Sequence, residues 1–184
     1  MIDGIILAGG YSSRLGKNKM SIIYQDKPVI IHTILNMKSV CNQIYVITGH
    51  YHKQIKELIR NINGIRIVYN ENYNLGMFTS VLAGVEMINN DFFLIPGDYP
   101  LVSANIYNKL LLGSKSIRVP SFNYKLGHPI FFKKKYKSLL LNTECDNLKA
   151  FRNQYDYEIV DVNDSAILFD IDTIEDVNRL KNKE

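Results

Sequence analysis

Short runs of β-branched and aromatic residues alternate along the chain with longer segments in which apolar positions recur at helical spacing. This alternation predicts an α/β fold with a mostly parallel sheet, because each strand would be followed by a helix that packs back onto the sheet. Strands are predicted at 2–7, 43–48, 66–69, 92–95, 117–119, 129–132 and 158–162. Helices are predicted at 28–37, 52–62, 76–89 and 104–112, from about Lys134, and after Asp172. No linker or repeat interrupts the pattern, so residues 1–184 are expected to form a single domain.

Composition and charge narrow the class of protein. The chain has 184 residues, of which 46% are hydrophobic and 22% are charged, as in a globular domain that builds its own core. Two cysteines are too few for a disulfide framework, and neither a leader peptide nor a membrane span is recognisable, so we expect a cytoplasmic protein. The net charge of +4 suits small polyanionic ligands and is too small to indicate nucleic acid.

A glycine-rich loop directly follows the first predicted strand and reads Leu7-Ala8-Gly9-Gly10-Tyr11-Ser12-Ser13-Arg14-Leu15-Gly16-Lys17-Asn18-Lys19. Adjacent glycines let backbone N–H groups approach an anion, Ser12 and Ser13 offer hydroxyls, and Arg14 and Lys19 bring positive charge. Five residues, rather than the four of a Walker A loop, separate the second glycine from the third, and the loop has no G-x-G-x-x-G pattern. The loop is therefore predicted to bind phosphates without belonging to either of these two known motifs. The alternative is that it is a plain surface turn.

Carboxylates follow a later apolar strand and precede the last helix. Asp98 comes after the strand at 92–95, and ligands of open α/β sheets bind beyond the carboxyl ends of strands, so Asp98 should face the glycine-rich loop. Magnesium is usually held by one or two carboxylates plus substrate phosphates. Asp170 and Asp172 share one face of an extended segment, and one of them could complete an ion site. The alternatives are a turn aspartate at Asp98 and a helix cap at Asp172.

Two further segments offer ligand-binding groups. Gly76 and Ser80 lie at the start of a predicted helix, where exposed N–H groups suit phosphates or the polar edge of a nucleotide. His128 precedes an apolar strand and could contact an anionic acceptor or relay a proton, although a lone histidine is more often structural.

The motifs occur in a specific order along nearly the whole chain. They are the loop at 7–19, Asn74-Leu75-Gly76-Met77-x-x-Ser80-Val81, Asp98-Tyr99-Pro100, Gly127-His128-Pro129 and Asp170-Ile171-Asp172-Thr173-Ile174-Glu175-Asp176. This set resembles the MobA-like nucleotidyltransferases, and within them it is most similar to the molybdenum cofactor cytidylyltransferase branch.

The resemblance implies a three-layer α/β/α Rossmann-like fold and an enzyme that joins a nucleoside monophosphate from an NTP to a phosphorylated acceptor, releasing pyrophosphate. In the cytidylyl branch the nucleotide is CTP, the acceptor is molybdopterin carrying molybdenum, and the metal is magnesium; a molybdoenzyme or its chaperone is a possible further partner. By position, the nucleotide would be bound by Leu7, Ala8, Gly9, Gly10, Ser12, Ser13, Arg14, Lys19, Gly76 and Ser80. The catalytic residues would be Arg14, Lys19 and Asp98, with magnesium on Asp98 and Asp172 and the acceptor at His128.

Two departures from the branch pattern leave alternatives open. Leu-Ala-Gly-Gly in the first loop is usual in the guanylyl branch, whereas cytidylyl enzymes often have Leu-Ala-Ala-Gly. Asp146-Asn147-Leu148-Lys149 stands where cytidylyl relatives commonly carry Gly-Leu-Arg. A guanylyltransferase, a sugar- or alcohol-phosphate nucleotidyltransferase and a nucleotide-binding module without turnover are therefore the other hypotheses. The presence of both the cationic residues and the carboxylates argues against the last.

Overall fold

Strands and helices alternate through residues 1–182, which a computed structural model describes. The strands are β1 (Ile2–Ala8), β2 (Ile23–Tyr24), β3 (Lys27–Pro28), β4 (Gln43–Thr48), β5 (Ile65–Tyr69), β6 (Asp91–Pro96), β7 (Ile117–Phe122), β8 (Lys125–Leu126), β9 (Ile130–Phe132) and β10 (Glu158–Asp161). The α-helices are α1 (Val29–Lys38), α2 (His52–Ile59), α3 (Met77–Met87), α4 (Ala104–Leu111), α5 (Tyr136–Leu141), α6 (Leu148–Arg152) and α7 (Ile174–Lys181). Short 3₁₀ helices occupy Lys19–Ser21, Tyr73–Leu75 and Ser165–Leu168.

Eight of the strands form one sheet in the order β10-β7-β9-β6-β1-β4-β5, with β8 paired to β7. Strand β1 lies between β4 and β6 and runs parallel to both, and β5 is parallel to β4. Strand β9 is antiparallel to its neighbours β6 and β7. The sheet is therefore parallel on one side and mixed on the other, and the carboxyl ends of β1, β4 and β6 meet at a single edge.

Both faces of the sheet are covered by helices. Ile6 and Ala8 of β1 pack in a core with apolar residues of α1, α2 and α4. Ile5 and Leu7, which point the opposite way, pack with residues of α3, α5 and α6. Strands that are buried on both faces read as continuous apolar runs, which is why the sequence identified them. The single-domain, three-layer α/β/α fold is confirmed.

A smaller third core joins residues 22–29 to the segment around α7. Ile22 just before β2, Tyr24 of β2 and Val29 at the start of α1 pack against Ile171 and Leu180. Ile171 is fully buried there, although the residues on either side of it are only partly buried. This packing fixes the segment before α7 beside the loop that follows β1.

The predicted elements are present, with differences at their ends and among the shortest pieces. Strand β7 continues to Phe122, α2 ends at Ile59, and α5 begins at Tyr136. The two-residue strands β2, β3 and β8 and the short helix α6 were not predicted, because such lengths contain no periodic pattern. Within residues 1–182, no helix is long and apolar enough to cross a bilayer.

Candidate nucleotide-transfer site

A cavity of about 510 Å³ opens at the carboxyl ends of β1 and β6. Leu7 and Pro96 are partners in the register of these strands, so the loops that follow them leave the sheet side by side. The predicted residues in the cavity wall are Leu7, Gly9, Gly10, Ser12, Ser13, Arg14, Lys19, Gly76, Ser80, Asp98, His128 and Asp172. Ala8 is outside this wall and is buried in the core, so its part in nucleotide binding stays a prediction.

The glycine-rich loop is closed by hydrogen bonds that position Lys19. The Asn18 side chain accepts from the N–H of Met20 at 3.1 Å, starting the 3₁₀ helix, and donates to the Gln54 side chain at 3.2 Å. The N–H of Lys19 donates to the Ser12 hydroxyl at 3.3 Å. Ser12, early in the loop, is thus hydrogen-bonded to Lys19 at its end, and the Lys19 side chain extends towards the acidic residues of the cavity.

Lys19 lies between two carboxylates from distant parts of the chain. Its Nζ is 2.5 Å from Oδ2 of Asp98 and 2.7 Å from Oδ1 of Asp172. The other oxygen of Asp172 is 2.6 Å from Nη1 of Arg14. Burial acts to lower the pKa of Lys19, but the two carboxylates outweigh it and raise the pKa, so the ammonium stays charged at neutral pH.

A third carboxylate completes an acidic cluster. One oxygen each of Asp98, Asp170 and Asp172 lies within 4.8 Å of the others. Oδ1 of Asp98 is buried and has no hydrogen-bond partner within residues 1–182. Burial raises the pKa of Asp98, against the lowering effect of Lys19, and burial likewise raises the pKa of Asp170. Among the residues described, three carboxylates face only two cationic side chains in this cavity, Arg14 and Lys19. Oxygen ligands with surplus negative charge fit a hard divalent cation.

Asp172 is free for this cluster because its neighbour caps the helix. The Thr173 hydroxyl accepts from the N–H of Asp176 at 3.2 Å, and the Asp176 carboxylate accepts from the N–H of Thr173 at 2.9 Å. This capping box makes Thr173 the N-cap of α7. The alternative that Asp172 is the cap is therefore wrong.

The start of α3 closes the opposite wall. Gly76 has a φ of 115°, which favours glycine, and α3 begins at the next residue. The buried Ser80 hydroxyl accepts from Nδ2 of Asn70 at 2.9 Å. A Cβ on Gly9 would lie 2.8 Å from Oγ of Ser80, whereas one on Gly10 would meet nothing within 4 Å. The first glycine thus allows close packing, and the second leaves its backbone open to a ligand.

His128 stands where this cavity meets a second one. Its ring centroid lies 5.1 Å from that of Tyr99, with the two rings edge to face, and its backbone N–H donates to the carbonyl of Ile167 at 3.0 Å. Burial, with a contribution from Arg152, lowers the pKa of His128 to about 4. The imidazole is therefore neutral at pH 7, and any contact with an anion would be that of a neutral hydrogen-bonding group.

A family model described as a MobA-like NTP transferase domain matches residues 4–158. The chain belongs to the MobA-like NTP transferase family. It is 30% identical to the molybdenum cofactor cytidylyltransferase of Escherichia coli (strain K12), covering 95% of this chain and 93% of that one. A probable molybdenum cofactor guanylyltransferase of Bacillus mycoides (strain KBAB4) is 32% identical over 54% of this chain and 50% of its own.

The fold of this MobA-like protein is also that of a solved nucleotidyl transferase from Methanothermobacter thermautotroptrophicus. The two superpose with a TM-score of 0.87 at 18% identity, covering 100% of this chain and 97% of the other. Family membership and fold agree with the resemblance drawn from the motifs.

Several residues of this MobA-like site were not among those predicted. Asp170 was predicted only as an alternative to Asp172 for completing the ion site, whereas the structure brings both of them to the acidic cluster. Asn70 fixes Ser80 and also donates to the Thr79 hydroxyl at 2.8 Å; its position directly after a strand was the available signal. Tyr99 lines both cavities, and its place next to Asp98 in the Asp98-Tyr99-Pro100 motif was the available signal.

Proposed function

We propose that this nucleotidyltransferase joins the nucleoside monophosphate of an NTP, with CTP preferred, to molybdenum-loaded molybdopterin and releases pyrophosphate. The observation that carries the proposal is Lys19, held between Asp98 and Asp172 in a cavity bordered by an open glycine-rich loop. The whole chain, residues 1–184, would act as one transferase domain, and a molybdoenzyme or its chaperone would receive the product.

The choice of nucleotide follows from the extent of the similarity. The E. coli cytidylyltransferase is similar over 95% of this chain, whereas the B. mycoides guanylyltransferase is similar over 54%. In the proposed complex, the backbone of the loop and the start of α3 would bind the nucleoside, and Arg14 and Lys19 would bind the phosphates. The Leu-Ala-Gly-Gly loop is the feature that favours GTP, which makes a guanylyltransferase the second candidate.

Magnesium fits the acidic cluster. Asp98, Asp170 and Asp172 would hold it, because their oxygens converge and Oδ1 of Asp98 lacks a partner among residues 1–182. When bound, the cation would neutralise negative charge on the phosphoryl oxygens.

The transfer of the nucleoside monophosphate would require little covalent chemistry from the protein. An oxygen of the acceptor phosphate would attack the α-phosphorus, a new P–O bond would form, and the bond to the β-phosphate would break with pyrophosphate leaving. A phosphate monoester has its second pKa near 6, so the attacking oxygen is already ionised at pH 7 and needs no general base. Arg14 and Lys19 would stabilise the charge that develops on the α-phosphate and the leaving group, which is the largest contribution expected from the protein.

Pyrophosphate release tests the proposal directly. The wild-type protein is incubated with magnesium and each of CTP, GTP, ATP and UTP, with and without molybdenum-loaded molybdopterin, and with sugar and alcohol phosphates as control acceptors. The expected result is release that requires molybdopterin and is fastest with CTP. Release that is fastest with GTP would favour the guanylyltransferase, and release only with sugar or alcohol phosphates would overturn the proposed acceptor.

A further inference from the structure

The second cavity has a volume of about 770 Å³ and adjoins the first. Leu7, Met77, Pro96, Tyr99 and His128 line both, so one extended molecule can occupy the two together. Its other walls include apolar side chains from α3, β6 and β9. Three basic residues and one acidic residue are also in the wall, namely Lys125, Lys149, Arg152 and Asp146.

Arg152 is buried in this wall, and no residue of the range 1–182 gives it an anionic partner. Its residue is only 7% exposed. Its Nε and Nη2 both donate to Oδ1 of Asn153, at 3.3 and 3.0 Å, and the guanidinium lies 4.8 Å from the centroid of the Tyr157 ring. Among residues 1–182, no carboxylate is within 4.0 Å of Arg152, and its Nη1 donates no hydrogen bond. Buried arginines are rarely left in this condition, because an unpaired buried charge is costly.

Arg118 shows how the same chain satisfies a structural arginine. It is 5% exposed, about as buried as Arg152. Its Nε donates to the carbonyl of Lys115 at 2.7 Å, and its Nη1 donates to the carbonyls of Leu110 and Leu111 at 3.0 and 3.1 Å. Arg118 lines neither of the two cavities. A purely structural guanidinium is thus surrounded by backbone acceptors, and Arg152 is not.

His128 provides a second unsatisfied group in the same cavity. Its Nδ1 is shielded from solvent and has no hydrogen-bond partner within residues 1–182. The ring lines the cavity that Arg152 also lines. The pocket thus contains the Arg152 guanidinium and a neutral imidazole nitrogen of His128. These groups match a ligand that carries negative charge and offers several oxygen acceptors.

We propose that the second cavity contains an oxyanion subsite at Arg152, which binds a negatively charged, oxygen-bearing group that the acceptor carries in addition to its phosphate. The inference rests on the proposed function, which puts the acceptor phosphate beside Lys19 in the first cavity. The residues that line both cavities connect the two anion sites, and the apolar walls of the second cavity suit a flat ring system. In molybdenum-loaded molybdopterin, the oxygen-bearing metal is the group with this chemistry. A free oxyanion is the other possible source.

Molybdate titration provides the first test. Wild-type protein is saturated with CTP and magnesium, so that the anion-binding groups of the first cavity are occupied, and molybdate binding is then measured by calorimetry. One molybdate per protein is expected, with an affinity that falls at least tenfold in Arg152→Gln and changes less than twofold in Arg118→Gln. Absence of molybdate binding to the saturated wild type, or equal binding by Arg152→Gln, would overturn the subsite.

The wild-type titration still shows whether the oxyanion subsite exists if Arg152→Gln does not fold. Arg152→Lys then replaces it, since lysine retains the charge but lacks the planar fork that binds two oxygens at once. We expect molybdate affinity at least threefold below wild type in this variant, and unchanged affinity would count against the subsite.

Acceptor kinetics distinguish the two sources of the oxyanion. Arg152→Gln is expected to raise KM for molybdenum-loaded molybdopterin at least tenfold and KM for the metal-free acceptor less than twofold. Equal effects on both acceptors, together with tight molybdate binding, would assign the subsite to a free oxyanion and overturn the acceptor-borne assignment. Failure of the proposed function would be visible separately, as no pyrophosphate release by the wild type with any acceptor, and would leave the molybdate titration interpretable.

Discussion

The two cavities lie at the same edge of the sheet but differ in how their charges are balanced. In the first, Lys19 and Arg14 are paired with Asp98 and Asp172 at hydrogen-bond distances. In the second, Arg152 has no carboxylate partner among the described residues. Internal ion pairs hold the side chains of the first cavity in place before a ligand binds, which is what positioning and electrostatic catalysis require. The second cavity leaves its charge to be compensated by a ligand.

The largest effect is expected where the first cavity loses a carboxylate. Asp98→Asn keeps the shape of the side chain but removes a metal ligand and the partner of Lys19, so kcat/KM should fall by about a hundredfold to a thousandfold. The fold should persist, because Lys19 retains Asp172. Pyrophosphate release measures the effect, with Asp156→Asn, on an exposed ion pair, as the control. Activity within threefold of wild type would remove Asp98 from the mechanism.

The second prediction concerns the small core that holds the acidic segment. Ile171→Ala removes a fully buried side chain between Asp170 and Asp172, and should lower the free energy of unfolding by about 2–5 kcal/mol. We also expect lower turnover, since both carboxylates lose their support. Urea denaturation and pyrophosphate release measure the two effects. Ile174→Ala, at a position that is 64% exposed, is the matched control and should change neither. Full activity in Ile171→Ala would mean that the segment holds its geometry without this core.

The third prediction uses pH to probe the border of the second cavity. His128 faces Arg152 and Tyr99, and its folded-state pKa is about 4, below the ordinary 6.5. The unfolded chain therefore binds a proton that the folded protein does not, and stability present above pH 6.5 is lost as pH falls towards 4. The loss should be at most about 3 kcal/mol. Urea denaturation at pH 7 and pH 4.5 measures it. If His128→Asn shows the same pH dependence as wild type, the loss comes from other groups.

The smallest effect is expected at the mouth of the first cavity. Arg14 has a side chain that is 72% exposed, so its pair with Asp172 contributes little to stability. Arg14→Gln should raise KM for the nucleotide roughly three- to tenfold through the loss of one phosphate contact. Steady-state kinetics measures this, with Arg60→Gln, from an exposed pair with Glu57, as the control. A KM equal to that of wild type would exclude phosphate binding by Arg14.

The parallel side of the fold was predictable because its strands are buried on both faces. Gln43–Thr48 was predicted with its observed bounds, and β1 and β6 extend only slightly beyond theirs. The β2–β3 hairpin was missed because its turn requires positive φ at Gln25 and Asp26, and neither residue type predicts such a turn as glycine would. Strand β9, by contrast, was predicted as a strand, but its antiparallel direction depends on pairings between distant residues.

The site residues also fall into two groups, those that the sequence identified and those that only the folded structure reveals. Lys19 and Asp98 lie in motifs whose residue types indicate phosphate binding and cation binding, so the sequence was sufficient to identify them. Arg152 lies in a helix of five residues with no motif, and its importance comes from burial and from the acceptors it lacks. Neither property belongs to a residue type or spacing; both arise only when the chain has folded.

The most direct test of the transfer assigned to the first cavity follows the α-phosphate. Wild-type protein is incubated with magnesium, molybdenum-loaded molybdopterin and CTP that carries ³²P at the α-position, and the products are separated by chromatography. The account predicts that the label moves to the acceptor in an amount equal to the pyrophosphate released, and that Asp98→Asn transfers almost none. Label that remains in CTP, or that appears as free CMP without entering the acceptor, would contradict the account.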